Sequence, residues 1–449
     1  MLLNFVDREN ELSGLNDLYQ KERADLFVLY GRRRIGKTTL CKKFAEDKPH
    51  FYFLARVQDH ALELERMKEV FSERFDTFIP DVKDIEGLFK EMLDKIDDKK
   101  KFVFIIDEFP YWIEEDRSIL SEMQYIWDEI LKDENIFLIL TGSSVGMMES
   151  DVLDHKSPLY GRRTGQLKLT EIPVHKISEF LPKYSNEELI KTYGALGGVP
   201  FYLKEFDPEK DFFENIRDTF LNKLNILHEE AEILLREELR KPNIYFNIIK
   251  AMIDGATTLS EISSQSRVSI TNVNKYLKVL ERLEIIMREY PVTGSSKKKK
   301  FLYRITDNYF RFWLSFVYPY QGRIEENPDS VLMNIKSNYD RYMGPVFEEV
   351  CMDYIARHYQ YQELGRWWYG DKEIDIVALD RNTIIFGECK WSKNKIGVSV
   401  LEDLKEKSKD VRWKNNSRKE KYILFSRSGF TKELIQHEHI ELIDIMDIL

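Results

Sequence analysis

The stretch Leu26-Phe27-Val28-Leu29-Tyr30-Gly31-Arg32-Arg33-Arg34-Ile35-Gly36-Lys37-Thr38 decides the fold. Its first five residues form an apolar run with no polar break, which predicts a strand buried on both faces, as in a parallel sheet. A glycine turn follows, then a helix over 36–45, and the turn fits the loop pattern that cradles phosphates. The glycines let the backbone curl so that its N–H groups face an anion. Lys37 sets a point charge on β- and γ-phosphates, and Thr38 offers a hydroxyl to Mg²⁺. The following helix points its positive end at the same anion. Gly31, Arg34, Ile35, Gly36, Lys37, Thr38 and Thr39 are the expected ATP-binding residues.

Further strands are expected at 51–54, 102–106, 136–140 and 166–169, separated by helical patterns, so the fold class is α/β with a parallel sheet. The second of these strands, Phe102-Val103-Phe104-Ile105-Ile106, ends in Asp107-Glu108. Two carboxylates at the C-terminal edge of a central strand lie beside the phosphate loop. Asp107 is expected to orient Mg²⁺ and Glu108 to polarise a water toward the γ-phosphate, so hydrolysis is expected as well as binding. The next strand ends Leu140-Thr141-Gly142-Ser143-Ser144 and brings the Thr141 and Ser143 hydroxyls to the level of the γ-phosphate.

Beyond residue 171 the pattern turns helical to about 240, broken at Gly197-Gly198-Val199-Pro200. Residues 241–306 read as three helices and a β-hairpin, which describes a winged helix. Its recognition helix, 269–283, presents Asn272, Asn274, Lys275 and Lys278 outward, and the hairpin tip carries Lys297, Lys298, Lys299 and Lys300. Asn can read adenine and Lys can grip phosphate, so DNA is the expected partner. A winged helix used for protein contacts is the alternative.

An aromatic helical connector occupies 307–333, and 334–449 reads helix, three strands, helix, strand, helix, strand. Two of those strands carry Asp375, Glu388 and Lys390. Glu388 and Lys390 are two apart and share one strand face. An Asp and a Glu brought together can hold Mg²⁺ or Mn²⁺, and a lysine beside them can activate water. The competing reading is a cross-strand ion pair on a solvated face.

The order of these motifs resembles the archaeal-type ATPases of the STAND branch of AAA+ proteins. Leu159-Tyr160-Gly161-Arg162-Arg163-Thr164-Gly165 and Gly198-Val199-Pro200 carry the resemblance further along the chain. It implies that Thr141 and Ser143 are the sensor on the sheet, where many relatives have Asn. It implies too that Arg162 or Arg163 senses the γ-phosphate and that Pro200 belongs to a lid motif on the nucleotide. A surface salt bridge is the alternative for the two arginines. The last segment resembles the PD-(D/E)xK nuclease fold, whose helical acid would be Glu348; here Ile-Asp replaces Pro-Asp. The implied organisation is a P-loop core at 1–170, a helical lid at 171–240, a winged helix at 241–306, a connector at 307–333 and a nuclease-like domain at 334–449.

Composition bounds the function classes. The 449 residues carry 68 Lys and Arg against 78 Asp and Glu, a net charge of −10, which excludes a globally basic nucleic-acid coat but not a local patch. Three scattered cysteines exclude a disulfide framework and fit a reducing cytosol. The eight histidines form no zinc-binding pair, no apolar run approaches a membrane span, and the N-terminal residues lack a signal pattern. The expectation is a cytoplasmic ATP hydrolase with Mg²⁺, no membrane association, DNA as partner and nucleotide-dependent self-association. A signalling or defence switch with an inactive nuclease-like module is the second expectation.

Overall fold

The apolar runs of the first part of the chain become five strands of one sheet. A computed structural model describes residues 6–97, 99–239, 242–293, 301–415 and 417–449. In it β1 (Asp25–Tyr30), β2 (His50–Leu54), β3 (Phe102–Asp107), β4 (Ile136–Gly142) and β5 (Gly165–Lys168) lie in the order β2-β3-β4-β1-β5. Every neighbouring pair is parallel. Leu26, Val28 and Tyr30 of β1 enter one hydrophobic core, whereas Phe27 and Leu29 enter another on the opposite face. Two buried faces explain why the strand has no polar alternation.

Two strands run past their expected ends. β3 includes Asp107, opposite Leu54 of β2, and β4 continues to Gly142, opposite Tyr30 of β1. The sheet ladder therefore holds the backbone that presents Asp107 and Thr141. Helix Lys37–Ala45 follows β1 and buries Leu40, Cys41 and Phe44.

The chain divides into two compact units, one reaching Ile172 and including Val199–Phe201, the other comprising Pro173–Gly198 and Tyr202–Leu449. In the second unit, helices Pro242–Ile253, Leu259–Ser266 and Ile270–Arg282 precede a hairpin of β6 (Ile286–Glu289) and β7 (Leu302–Ile305). Thr258 starts the middle helix with a reciprocal cap to Glu261, satisfying donors the helix itself cannot. Val273, Leu277 and Leu280 bury one face of the third helix, leaving Asn272, Asn274, Lys275 and Lys278 exposed. Lys297–Lys300 lie outside the described residues.

The connector is shorter than expected. Its helix, Asn308–Phe316, buries Tyr309, Phe310, Phe312 and Trp313. Helix Pro328–His358 then runs through the expected boundary at 333/334. Asn327 caps that helix through Ser330 N, and Pro328 occupies its first position, so the helix begins there and not near Asn334.

The chain ends on a mixed sheet of β8 (Glu363–Tyr369), β9 (Lys372–Asp380), β10 (Thr383–Lys390), β11 (Lys419–Ser426) and β12 (Ile440–Asp444), in sequence order across the sheet. β8, β9 and β10 are antiparallel neighbours, and β10, β11 and β12 are parallel. Among the described residues, no helix is long and apolar enough to cross a membrane.

Candidate functional site

The loop after β1 takes backbone conformations that side chains resist. Gly31 has φ +150° and Gly36 φ +96°, and a Cβ on Gly31 would collide with the Leu169 carbonyl. Gly36 is also the N-cap of helix Lys37–Ala45. Lys37 is 5% exposed, and its ammonium donates to the Gly31 and Arg32 carbonyls at 2.9 Å each. Burial pushes its pKa below the ordinary lysine value, and Glu108 and Asp107 pull it partly back. Ile35 is buried, Thr39 is exposed, and the Arg34 guanidinium stacks 4.3 Å from the Phe201 ring centroid, next to Pro200.

Asp107, 1% exposed, is the centre of the site. It accepts hydrogen bonds from Thr38 Oγ1 at 2.6 Å, from the Tyr52 hydroxyl at 2.7 Å and from Thr141 Oγ1. Three hydroxyls from three different elements thus converge on one buried carboxylate. Burial and then the Asp107 bond raise the Tyr52 pKa, so Tyr52 stays a donor. Glu108 starts helix Phe109–Glu115 in the left-handed region, at φ +55°, and accepts from Ser143 N at 2.9 Å and Ser143 Oγ at 2.8 Å. A non-glycine residue held at positive φ indicates local strain that the surrounding bonds sustain.

The two arginines expected to sense the γ-phosphate are engaged by neighbouring groups. Arg162 forks onto Asp128, with Nε at 2.9 Å and Nη2 at 2.7 Å from Oδ2. The Asp128 carboxylate satisfies the planar guanidinium of Arg162. Arg163 donates to the Leu153 carbonyl at 3.2 Å and stacks on Tyr160.

In the C-terminal sheet, Ile376 pairs with Gly387, so Asp375 and Glu388 come to the same end of neighbouring strands. Asp375 accepts from Cys389 N at 2.8 Å, and Lys390 Nζ donates to Glu388 Oε1 at 2.7 Å. Glu388 Oε2 is buried and has no hydrogen-bond partner. Burial, then the charges of Glu388 and Glu348, push the Asp375 carboxyl up to about 7. Glu348 is turned to another partner: Arg366 Nε and Nη2 lie 3.0 and 2.9 Å from its Oε2. Among the described residues, no three His, Cys, Asp or Glu side chains gather as a metal-binding group.

Four residues of these sites escaped the sequence. Tyr52 hides in an apolar strand, where a lone hydroxyl at an alternate position was the available signal. Phe201 sits one residue beyond the Pro200 motif. Arg366 lies in the middle of β8, and Lys407, 3.6 Å from Glu388 Oε1, comes from a later helix. No sequence signal joins either of these last two to the carboxylates.

Comparison with known proteins agrees with this geometry. A family described as an ATPase domain predominantly from Archaea matches residues 5–206, and one described as archaeal and bacterial proteins of unknown function matches 313–420. The uncharacterized protein MJECL04 of Methanocaldococcus jannaschii is 36% identical over 418 residues, covering 91% of this chain and 92% of that protein. The uncharacterized ATP-binding protein MJ0423 of the same organism is 49% identical over 47 residues, 10% of this chain and 80% of that one. Among solved structures, a Walker-type ATPase of Pyrococcus abyssi has a TM-score of 0.54 at 21% identity, over 70% of this chain and all of that one, a likeness of fold. With a relative matched along nearly its whole length, this chain belongs to the family that includes MJECL04, and its residues 5–206 form an ATPase domain of the kind found predominantly in Archaea.

Proposed function

We propose that this protein binds ATP with Mg²⁺ in the loop Gly31–Thr39, hydrolyses it with Glu108 as the water-orienting base, and couples the nucleotide state to a DNA-binding winged helix and a nuclease-like domain. The observation that carries the ATPase reading is the convergence of Thr38, Tyr52 and Thr141 on Asp107. A hydroxyl and a carboxylate 2.6 Å apart are a donor set that suits Mg²⁺, which demands oxygen ligands. Thr38 and Asp107 would hold that ion, whose chemistry is to neutralise charge on the transferred phosphoryl group. Tyr52 and Thr141 fix the Asp107 carboxylate, and Ser143 fixes Glu108. Lys37 exchanges the loop carbonyls for phosphate oxygens. This division of labour is the STAND-type AAA+ reading, with residues 171–240 as lid.

The Glu108→Gln protein keeps the hydrogen-bonding reach toward Ser143 but loses the charge that attracts a proton from water. General-base loss costs roughly 10²–10⁴-fold in rate. Steady-state turnover should fall at least a hundredfold, with ATP still retained in a filter-binding assay. Wild-type turnover in this variant would remove Glu108 from the catalytic role.

The DNA reading rests on the exposed Asn272, Lys275 and Lys278 on a helix followed by a hairpin. The nuclease-like reading rests on Asp375, Glu388 and Lys390. The orphaned Glu388 Oε2 and the raised Asp375 both suit a cation, because a divalent ion between two carboxylates reverses their repulsion. Without nucleotide, millimolar Mn²⁺ should raise the melting temperature of the whole protein. Saturation to a hundredfold Kd is worth about 2.7 kcal/mol. Asp375→Asn and Glu388→Gln should each erase that increment, whereas Lys390→Met should keep it. An increment that survives Asp375→Asn places the ion elsewhere.

A second reading is favoured by one observation. Glu348 is engaged by Arg366 and not by the Asp375–Glu388 pair. In that reading the C-terminal domain binds a partner without cleaving, and the protein is an ATP-dependent signalling or defence switch. Cleavage of DNA that depends on divalent metal and on Asp375 separates the two.

A further inference from the structure

Outside both sites, a cavity of about 390 Å³ opens on the C-terminal sheet, lined by Trp368, Tyr369, Lys409, Arg412, Asn415 and the hairpin arm at Val292–Thr293. The hairpin arm is fastened there by Val292 N, which donates to the Arg366 carbonyl of β8 at 2.9 Å. We propose that this cavity binds an unpaired nucleotide of a single-stranded nucleic acid, with its base on the aromatic residues and its phosphate on Arg412.

Aromatic side chains supply the first part of the argument. β8 is an edge strand, and Tyr369 at its end is 73% exposed, while the adjoining Trp368 is half-buried. Tyr369, left in water at the rim of a cavity that Trp368 also lines, offers a π-face on which any base can stack. A duplex keeps its bases stacked on each other, so only an unpaired or extruded base can use it.

Charge supplies the second. The whole chain carries −10, yet residues 405–421 hold eight lysines and arginines against three acids. The one acid that lines the cavity, Asp410, is neutralised by Lys372 at 2.5 Å. Lys409 is paired with Glu406, but Arg412 is exposed and makes no ion pair or hydrogen bond among the described residues. An unspent guanidinium beside exposed rings is the chemistry that grips a phosphate while its base stacks. Asn415, whose Oδ1 already accepts from Trp413 N at 2.7 Å, adds amide N–H groups able to donate to a base edge.

This inference rests on the nucleic-acid reading above, and its test separates the two. A fluorescently labelled deca-thymidine and a duplex of mixed sequence are each titrated with the full-length protein. Tyr369→Ala and Arg412→Ala should each weaken the single strand about tenfold, leaving duplex affinity within twofold. Tyr369→Phe, which keeps the ring, should bind like wild type. Arg412→Ala should also flatten the salt dependence on the single strand by roughly 0.7 in log–log slope. Both side chains are exposed, so circular dichroism should match wild type. No binding of the single strand by the wild type overturns the proposal. So does unchanged single-strand affinity in both Tyr369→Ala and Trp368→Ala, or an equal loss on the duplex. The winged-helix reading fails on a different result, unchanged duplex affinity when Lys297–Lys300 are all replaced by glutamine.

Discussion

Replacing Lys37 by methionine should lower ATP affinity at least a hundredfold in a calorimetric titration with Mg²⁺. Hydrogen bonds to charged groups contribute about 1.5–3 kcal/mol each, and each 1.4 kcal/mol is tenfold in affinity. An ammonium reaching two phosphates is therefore worth roughly a hundredfold or more on those figures. In the free protein that ammonium is already desolvated and held by the Gly31 and Arg32 carbonyls, so it has no large hydration shell to shed when phosphate arrives. Methionine preserves the buried stem and loses only the charge, which separates binding from folding. Lys37→Ala should lose affinity equally but with some stability, because Lys37 is one of the buried residues of its helix. An affinity within threefold of wild type in both variants would show that the loop does not hold the phosphates.

The legibility of the chain followed the physics of each element. β1, β3 and β4 could be read because burial on two faces demands continuous apolar runs, and nothing else in the first 170 residues satisfies that pattern so well. Their C-terminal limits could not, since Asp107 and Thr141 are polar residues that the ladder carries into the sheet. The loop chemistry was visible because it is local: Gly31, Gly36, Lys37 and Thr38 lie within eight residues. Tyr52, by contrast, reaches Asp107 from 55 residues away, and its alignment depends on the β2–β3 register. The salt bridge of Arg162 to Asp128 was equally a matter of tertiary placement.

The C-terminal sheet shows the same division. The strand alternation announced Glu388 and Lys390 on one face, and the structure joins them at 2.7 Å. The partner of Glu348 was not announced, because Arg366, Glu289 and Glu348 are distant in sequence and belong to three separate elements. A bulge between Gly365 and Trp367 shifts the β8–β9 register at that arginine, and Arg366 is 6% exposed as a result of where the strand then packs. Strand patterning alone would have left it in solvent.

Arg366→Met should strongly destabilise the second unit. The guanidinium donates through Nη1 to Glu289 of the hairpin at 2.7 Å and through Nε and Nη2 to Glu348 of the long helix. Glu289 also accepts from Arg304 at 2.9 Å, and Arg304 in turn reaches Glu373 on β9. Removing one member of a buried ion pair costs about 3–5 kcal/mol, because the remaining charge keeps its desolvation without its partner. Protonation sets a ceiling on that cost. Neutralising a glutamate of ordinary pKa at pH 7 takes roughly 3.7 kcal/mol, from about 2.7 units at 1.36 kcal/mol each. In Arg366→Met, Glu348 would take that route, since burial already raises its pKa and Arg366 is the first force that lowers it. A carboxyl with a raised folded pKa contributes stability below its unfolded value, near 4.3, and loses it as pH rises through the folded value. The deficit of the variant should thus be full at pH 8 and shrink as the pH falls toward 4.5. Thermal melts of the second-unit transition should show a drop of about 10 °C at neutral pH, from the usual 2–4 °C per kcal/mol in a unit of this size. Adding Glu348→Gln to Arg366→Met should recover part of the drop, because the stranded charge is gone. A melt unchanged by Arg366→Met, or a deficit as large at pH 4.5 as at pH 8, would mean that the arginine does not hold the hairpin, the helix and β8 together through its charge.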